Sequence, residues 1–131
     1  MDVAMFETML FPIDQSRQTT ETAKVALQLA QQHQSRMVLV SVVEAKEGAM
    51  HDAASVAQLL DQAKKNFQQA GVACEVIERE GNPAFVIGDV ADEINADLIV
   101  MGTRGIRLES DEHSTAARVI QLAPCPVLVV P

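Results

Sequence analysis

Met37-Val38-Leu39-Val40-Ser41-Val42-Val43 is β-branched and almost unbroken in hydrophobicity. A strand with one wet face alternates apolar and polar residues, whereas a strand covered on both faces reads as a continuous apolar run. This segment therefore predicts a central strand of a layered sheet. Working outward toward the N-terminus, residues 19–33 place Ala23, Ala26, Leu27 and Ala30 at i, i+3, i+4 and i+7, the spacing of a helix. Before them, Thr8-Met9-Leu10-Phe11-Pro12-Ile13 is a short apolar run ending at Asp14. Toward the C-terminus, the polar stretch Glu44–Met50 leads into a helix over about 52–70, whose stripe is Val56, Leu59, Leu60, Ala63, Phe67 and Ala70. Gly71 stands where a helix stop belongs.

The same alternation continues. Residues 72–79 alternate more strongly, which predicts a strand nearer a sheet edge. Gly81-Asn82-Pro83 is a turn that also starts a helix, since proline suits the first helical position. Ile87, Val90, Ala91 and Ile94 form that helix's stripe, and Asp97–Met101 is a fourth strand. Gly102-Thr103-Arg104-Gly105 opens a loop, and a short helix over about 114–122 follows with Ala116, Val119, Ile120 and Ala123 on one face. Pro124-Cys125-Pro126 breaks it, and Val127-Leu128-Val129-Val130 is a last strand.

Five strands alternating with four helices predict an α/β fold: a parallel sheet with right-handed crossovers and helices on both faces. The 131 residues fit one domain, 1–131, with no internal linker or repeat. In such sheets ligands bind beyond the C-terminal strand ends, where the strand order reverses. That rule alone names Asp14, the Val42–Glu44 region, Gly81–Pro83 and Met101–Gly105 as the candidate site.

Ten Lys+Arg against eighteen Asp+Glu give a net charge of −8. Nucleic-acid binding is excluded as the expectation, because phosphate neutralisation needs a basic face and the longest basic run is Lys64-Lys65. The chain has no Trp or Tyr and only four Phe, so base-stacking platforms are also scarce. An anionic membrane surface would repel it, and no apolar run approaches the ~20 residues that span a bilayer. The N-terminal residues lack a basic n-region and an apolar h-region, which predicts a cytoplasmic protein. Cys74 and Cys125, 51 positions apart, form no metal spacing and read as two reduced core thiols.

Four segments together resemble the universal stress protein family along essentially the whole chain. They are Leu10-Phe11-Pro12-Ile13-Asp14-Gln15-Ser16; Val38 to Glu44; Gly81-Asn82-Pro83-Ala84 with Ala96 to Gly105; and Ala123 to Val130. The resemblance implies a sheet order of 3-2-1-4-5, of the adenine-nucleotide alpha hydrolase-like type. It also implies a homodimer in which the last strand, Val127, Leu128, Val129 and Val130, pairs antiparallel with its twofold mate. That apolar strand carries no Lys or inward charge, so it would be an unguarded edge if left unpaired.

The resemblance further implies an adenine-nucleotide site, with AMP or ATP as ligand and Mg²⁺ accompanying ATP. Asp14 matches the family carboxylate that hydrogen-bonds ribose, Val42 the strand residue whose backbone meets adenine, and Pro12, Met101 and Gly102 the surrounding floor. Phosphates in the binding branch are wrapped by Gly-x2-Gly-x9-Gly-Ser/Thr, since glycines admit close backbone N–H approach and a helix N-terminus favours anions. Gly102, Arg104 and Gly105 preserve the first half. Counting on from Gly105 reaches Thr115-Ala116; aligning back from Pro124 places His113-Ser114 at the Gly-Ser position with a shorter spacer. The second alignment keeps the last helix in phase with its strand and makes Ser114 the phosphate-side candidate. On either count the glycine is missing, and Glu109-Ser110-Asp111-Glu112 makes the loop acidic. A phosphate about 7 Å from one carboxylate meets roughly 1 kcal/mol of repulsion at an effective dielectric near 40. A lost charge-assisted hydrogen bond costs a further ~1.5–3 kcal/mol. The loop therefore disfavours ATP more than AMP.

Each site residue also has a plain structural reading. Asp14 and Ser114 could cap helices, Gly102 and Gly105 could serve a turn, and Arg104 could be a solvated surface residue. Three functions follow. The first is a regulatory homodimer of the stress-response type that acts through protein partners, with a weak or lost phosphate site. The second is an AMP- or ATP-binding sensor using Asp14 and the Gly102–Gly105 loop. The third, an ATP-hydrolysing enzyme, lacks a P-loop, a second carboxylate beside Asp14 and a nameable general base. The expectation is a protein that is not an enzyme and holds no metal of its own.

Overall fold

The computed structural model describes residues 5–13, 18–43, 53–102 and 115–131. Strands β1 (Thr8–Pro12), β2 (Arg36–Val43), β3 (Cys74–Glu80), β4 (Leu98–Gly102) and β5 (Val127–Val130) alternate with helices α1 (Gln18–His33), α2 (Ala53–Gln69), α3 (Pro83–Glu93) and α4 (Thr115–Leu122). All pairings are parallel and the order is β3-β2-β1-β4-β5. The expected fold class is the one observed.

Side-chain alternation along the strands sorts the core into two layers. Met9, Phe11, Ile13, Met37, Leu39 and Val100 face α1 and α2, while Leu10, Val38, Val40, Ile99 and Met101 face α3 and α4. Residues 37–40 are entirely buried, as the unbroken apolar run requires. β3 lies at one edge, and its outward residues Glu75, Glu78 and Glu80 are exposed. Those charges blunt that edge.

Three helices stop in the same way. In α2 the Val72 N–H bonds the Phe67 carbonyl at 3.0 Å and the Gly71 N–H bonds the Gln68 carbonyl at 3.0 Å, with Gly71 at φ +88°. This is a Schellman stop, with Val72 and Phe67 in one core cluster. Asn95 (φ 54°) ends α3 likewise, its Ala96 N–H reaching the Ala91 carbonyl at 2.9 Å; Gln34 (φ 53°) ends α1 before the Ser35 N–H bonds Ala30 at 2.9 Å. The stop uses up Val72, which is why β3 begins at Cys74 rather than at the expected 72. At the start of α3, the Asn82 side chain accepts from the Phe85 N–H at 3.4 Å and Pro83 holds the first position, as read from the sequence.

Two expectations need correction. Ile120 does not share the buried face of Ala116 and Val119: it is 53% exposed, because α4 packs against α3 and the edge strand β5 and no further described element covers it. Cys125 is only half-buried in the bend before β5, whereas Cys74 opens β3 inside the core; both are free thiols.

Candidate functional site: the crevice between β1 and β4

The chain leaves β1 toward β2 on one side of the sheet centre, and β4 continues to β5 on the other. The order reversal therefore lies between β1 and β4. The pairing between these two strands is short. β1 pairs with β2 up to Pro12↔Val40, and β4 pairs with β5 up to Gly102↔Val130. Between β1 and β4 the ladder holds only Met9↔Leu98 and Leu10↔Ile99.

Pro12 supplies the reason. Backbone N–H groups along a parallel strand point alternately to its two neighbours. The Ile13 N–H bonds the Val40 carbonyl of β2 at 2.9 Å, and the Thr8 N–H turns the other way, to the Asp97 carboxylate beside β4, at 2.9 Å. Position 12 therefore owes its donor to β4, and proline has none. The ladder therefore stops short of the reversal point.

Of the residues assigned from sequence, Pro12, Val42, Met101 and Gly102 are described. Each stands at or near the C-terminal end of its strand, with Pro12, Val42 and Gly102 half-buried and Met101 buried. Val42 and Met101 belong to the layer packed against α3 and α4, so the structure brings them to one side of the sheet. The Gly81 N–H bonds the Val43 carbonyl at 3.0 Å, which ties the turn before α3 to the end of β2. Asp14, Arg104, Gly105 and Ser114 lie outside the described residues.

Gly102 faces the opposite layer. A methyl group there would lie 2.5 Å from Thr22 Oγ1 and 3.8 Å from the Val130 carbonyl oxygen. Thr22 is 2% exposed, so the glycine lets the first turns of α1 settle onto β4. This packing role was not read from the sequence. Its only signal was a lone glycine at a strand end.

Among the described residues, the titrating groups that shift lie outside the crevice. Arg79 donates two hydrogen bonds to Glu93, at 2.8 and 3.2 Å, and this guanidinium holds the Glu93 carboxyl below the usual range. Burial pushes the Cys74 thiol up to about 11. Burial also raises the Cys125 thiol, with the nearby Asp97 charge adding to it. Neither thiol is activated toward nucleophilic chemistry. Among the described residues no group of three or more His, Cys, Asp or Glu side chains could hold a metal ion, and no helix is long and apolar enough to cross a membrane.

Comparison with known proteins fits this geometry. The chain is 50% identical over 138 residues to Universal stress protein Sll1654 of Synechocystis sp., an alignment covering 98% of this chain and 88% of the relative. Universal stress protein UspA from Lactobacillus plantarum superposes with a TM-score of 0.83 at 23% identity, covering 98% of this chain and 100% of that one. The universal stress protein from Archaeoglobus fulgidus in complex with dAMP superposes with a TM-score of 0.78 at 22% identity, covering 97% and 99%. The sequence model of the universal stress protein family matches residues 5–131. With the sheet order, the crevice and these matches in agreement, the chain belongs to the universal stress protein family.

Proposed function

We propose that this protein is a non-catalytic, homodimeric stress-response regulator whose β1–β4 crevice takes the nucleoside end of AMP and holds ATP less well. The observation that supports this reading is the β1–β4 ladder that ends at Leu10↔Ile99, with Pro12, Val42 and Met101 at or near the C-terminal ends of their strands. The dAMP complex of the Archaeoglobus fulgidus protein, which has the same fold, supports adenine as the base. Asp14 stands two positions after Pro12, the last residue of β1, and is assigned to the ribose; Gly102, Arg104, Gly105 and Ser114 are assigned to the phosphate side. The acidic stretch Glu109–Glu112 and the missing second glycine weaken that side.

Isothermal titration with AMP and with ATP, each with and without Mg²⁺, tests the reading. AMP should bind more tightly than ATP by about ten-fold or more, and Asp14→Ala should weaken AMP by about ten-fold, the loss of one or two hydrogen bonds. Absence of heat with either nucleotide at high protein concentration would discard the nucleotide and leave a regulator that acts through protein partners alone.

The dimer is assigned to β5. The Ile99 N–H bonds the Pro126 carbonyl at 3.0 Å and Ile99 registers with Val127. Parallel geometry then turns the N–H groups of Leu128 and Val130 toward β4 and those of Val127 and Val129 toward the open edge. Val129→Pro removes an outward donor without touching the β4 ladder. It should shift the protein from dimer to monomer in light scattering; a wild-type monomer at micromolar concentration would refute the assignment.

A further inference from the structure

On the other side of the sheet from Val42 and Met101, a cavity of about 330 Å³ lies between α1 and α2. It arises from how the two helices are placed. α1 packs over β4, whereas α2 packs over β2 and β3, so the end of β1 is left between them. Phe11 and Ile13 project there, and the Phe11 ring meets Phe67 of α2 edge-on at 6.3 Å. Leu27 and Leu59 wall the space from the two helices. Pro12, between Phe11 and Ile13 in the chain, points the opposite way, to the side of Val42 and Met101, and Gly102, which faces α1, lies against Thr22 and is not among the residues lining the cavity.

The volume falls in the range of small-molecule pockets, which are apolar with a few placed polar groups. Here the lining is almost wholly hydrocarbon and the polar groups are gathered on α1 and α2: Lys24, Gln62 and Asn66. Among the described lining residues Lys24 is the one charged group, and no carboxylate lines the space. Its ammonium is well exposed and has only a loose partner, Glu21, at 3.7 Å. A cationic, amide-bearing rim over an aromatic and aliphatic floor selects a ligand with an apolar tail and an anionic head.

We infer that the α1–α2 cavity is a binding site for a small amphipathic monocarboxylate of the medium-chain fatty acid class, its chain over Phe11, Ile13 and Phe67 and its carboxylate beside Lys24. This site is independent of the crevice and of the nucleotide reading. Octanoate, decanoate and 1-octanol serve as probes in isothermal titration of the full chain. Each should bind saturably, one per protomer. Lengthening octanoate to decanoate should tighten binding about ten-fold, from the transfer free energy of two methylenes. Octanoate should bind more tightly than octanol, and Lys24→Gln should erase that difference while leaving octanol unchanged. Ala63→Phe should fill the cavity and abolish binding of all three; Ala23→Leu, from the facing helix, gives a second plug, with cooperative thermal unfolding checked for each. Added AMP should displace none of them. Absence of saturable binding at millimolar probe, octanol binding as tightly as octanoate, survival of binding in both folded plug variants, or displacement by AMP would each overturn the inference.

Discussion

Pro12 and Gly102 end the two central strands, β1 and β4, and each acts by what it lacks. Pro12 lacks the donor that would extend the β1–β4 ladder. Pro12→Ala restores it; the new amide at position 12 should then be protected from hydrogen exchange by β4, and AMP should bind more weakly, because the strand ends are drawn together. Gly102 lacks the methyl that would strike Thr22 Oγ1 at 2.5 Å. Gly102→Ala should cost about 1–3 kcal/mol in urea unfolding, the usual range for overpacking. Thr22→Ala should relieve most of that cost in the double variant, since the Thr22 Cβ would stand at 3.7 Å. Cys74 makes a prediction about pH. Its thiol is raised from 9.0 to about 11 by burial, so the unfolded chain loses its proton first as pH rises. The stability it contributes is complete below pH 9 and is lost as pH climbs toward 11. Cys74→Val should flatten the decline in denaturation midpoint across that window. At this scale the sequence named Pro12 and Gly102 as site residues, yet neither physical reason was legible in it, because both depend on which neighbour a backbone group or a missing side chain faces.

Elements were the most legible scale, and their ends carry the detail. The stripes on α1 and α3, and that of α2 from Leu59 to Phe67, fall where periodicity places them, as do the strand runs apart from the later start of β3; Val56 of the α2 stripe lies outside the described side chains. Gly71 sits at φ +88°, and a methyl group there would meet no heavy atom within 4 Å, so the cost of substituting it is purely conformational. Gly71→Ala should therefore destabilise by about 1 kcal/mol. Gly88 is the opposite case. It lies inside α3, and a methyl there would meet the Leu122 carbonyl oxygen at an ordinary 3.8 Å. Gly88→Ala should stabilise by about 0.5–1 kcal/mol, read as a higher urea midpoint at unchanged slope. Ile120 shows where periodicity misleads: a four-residue stripe on a short helix does not reveal that, among the described residues, Ile120 is left 53% exposed. The same gap in information hid the α1–α2 cavity. Ala23 and Ala63 looked like routine members of apolar stripes, and only the spacing of the helices over the sheet leaves room above β1.

The whole molecule is an asymmetric sheet with unlike edges. β3 exposes Glu75, Glu78 and Glu80, and Arg79 is held by Glu93. β5 exposes Val127 to Val130, half-buried and uncharged. The Glu93 carboxyl is held low by Arg79, so that pair's contribution is present above the ordinary carboxylate range and is lost as pH falls through the lowered value. Acid should therefore loosen the β3–α3 contact, seen as faster exchange there in a pH titration, and Glu93→Gln should remove the pH dependence. By itself the sequence determined the α/β class, the number and order of the elements, the acidic character of the surface and the family. Those follow from local periodicity, composition and ordered motifs, which are written along the chain. Only the tertiary structure decided which residues face which layer at the reversal point, why the β1–β4 ladder stops at Pro12, why Gly102 must be bare against Thr22, and where two helices stand apart to leave a cavity. Each of these depends on contacts between elements distant in sequence, and the pattern of one element does not carry the position of another.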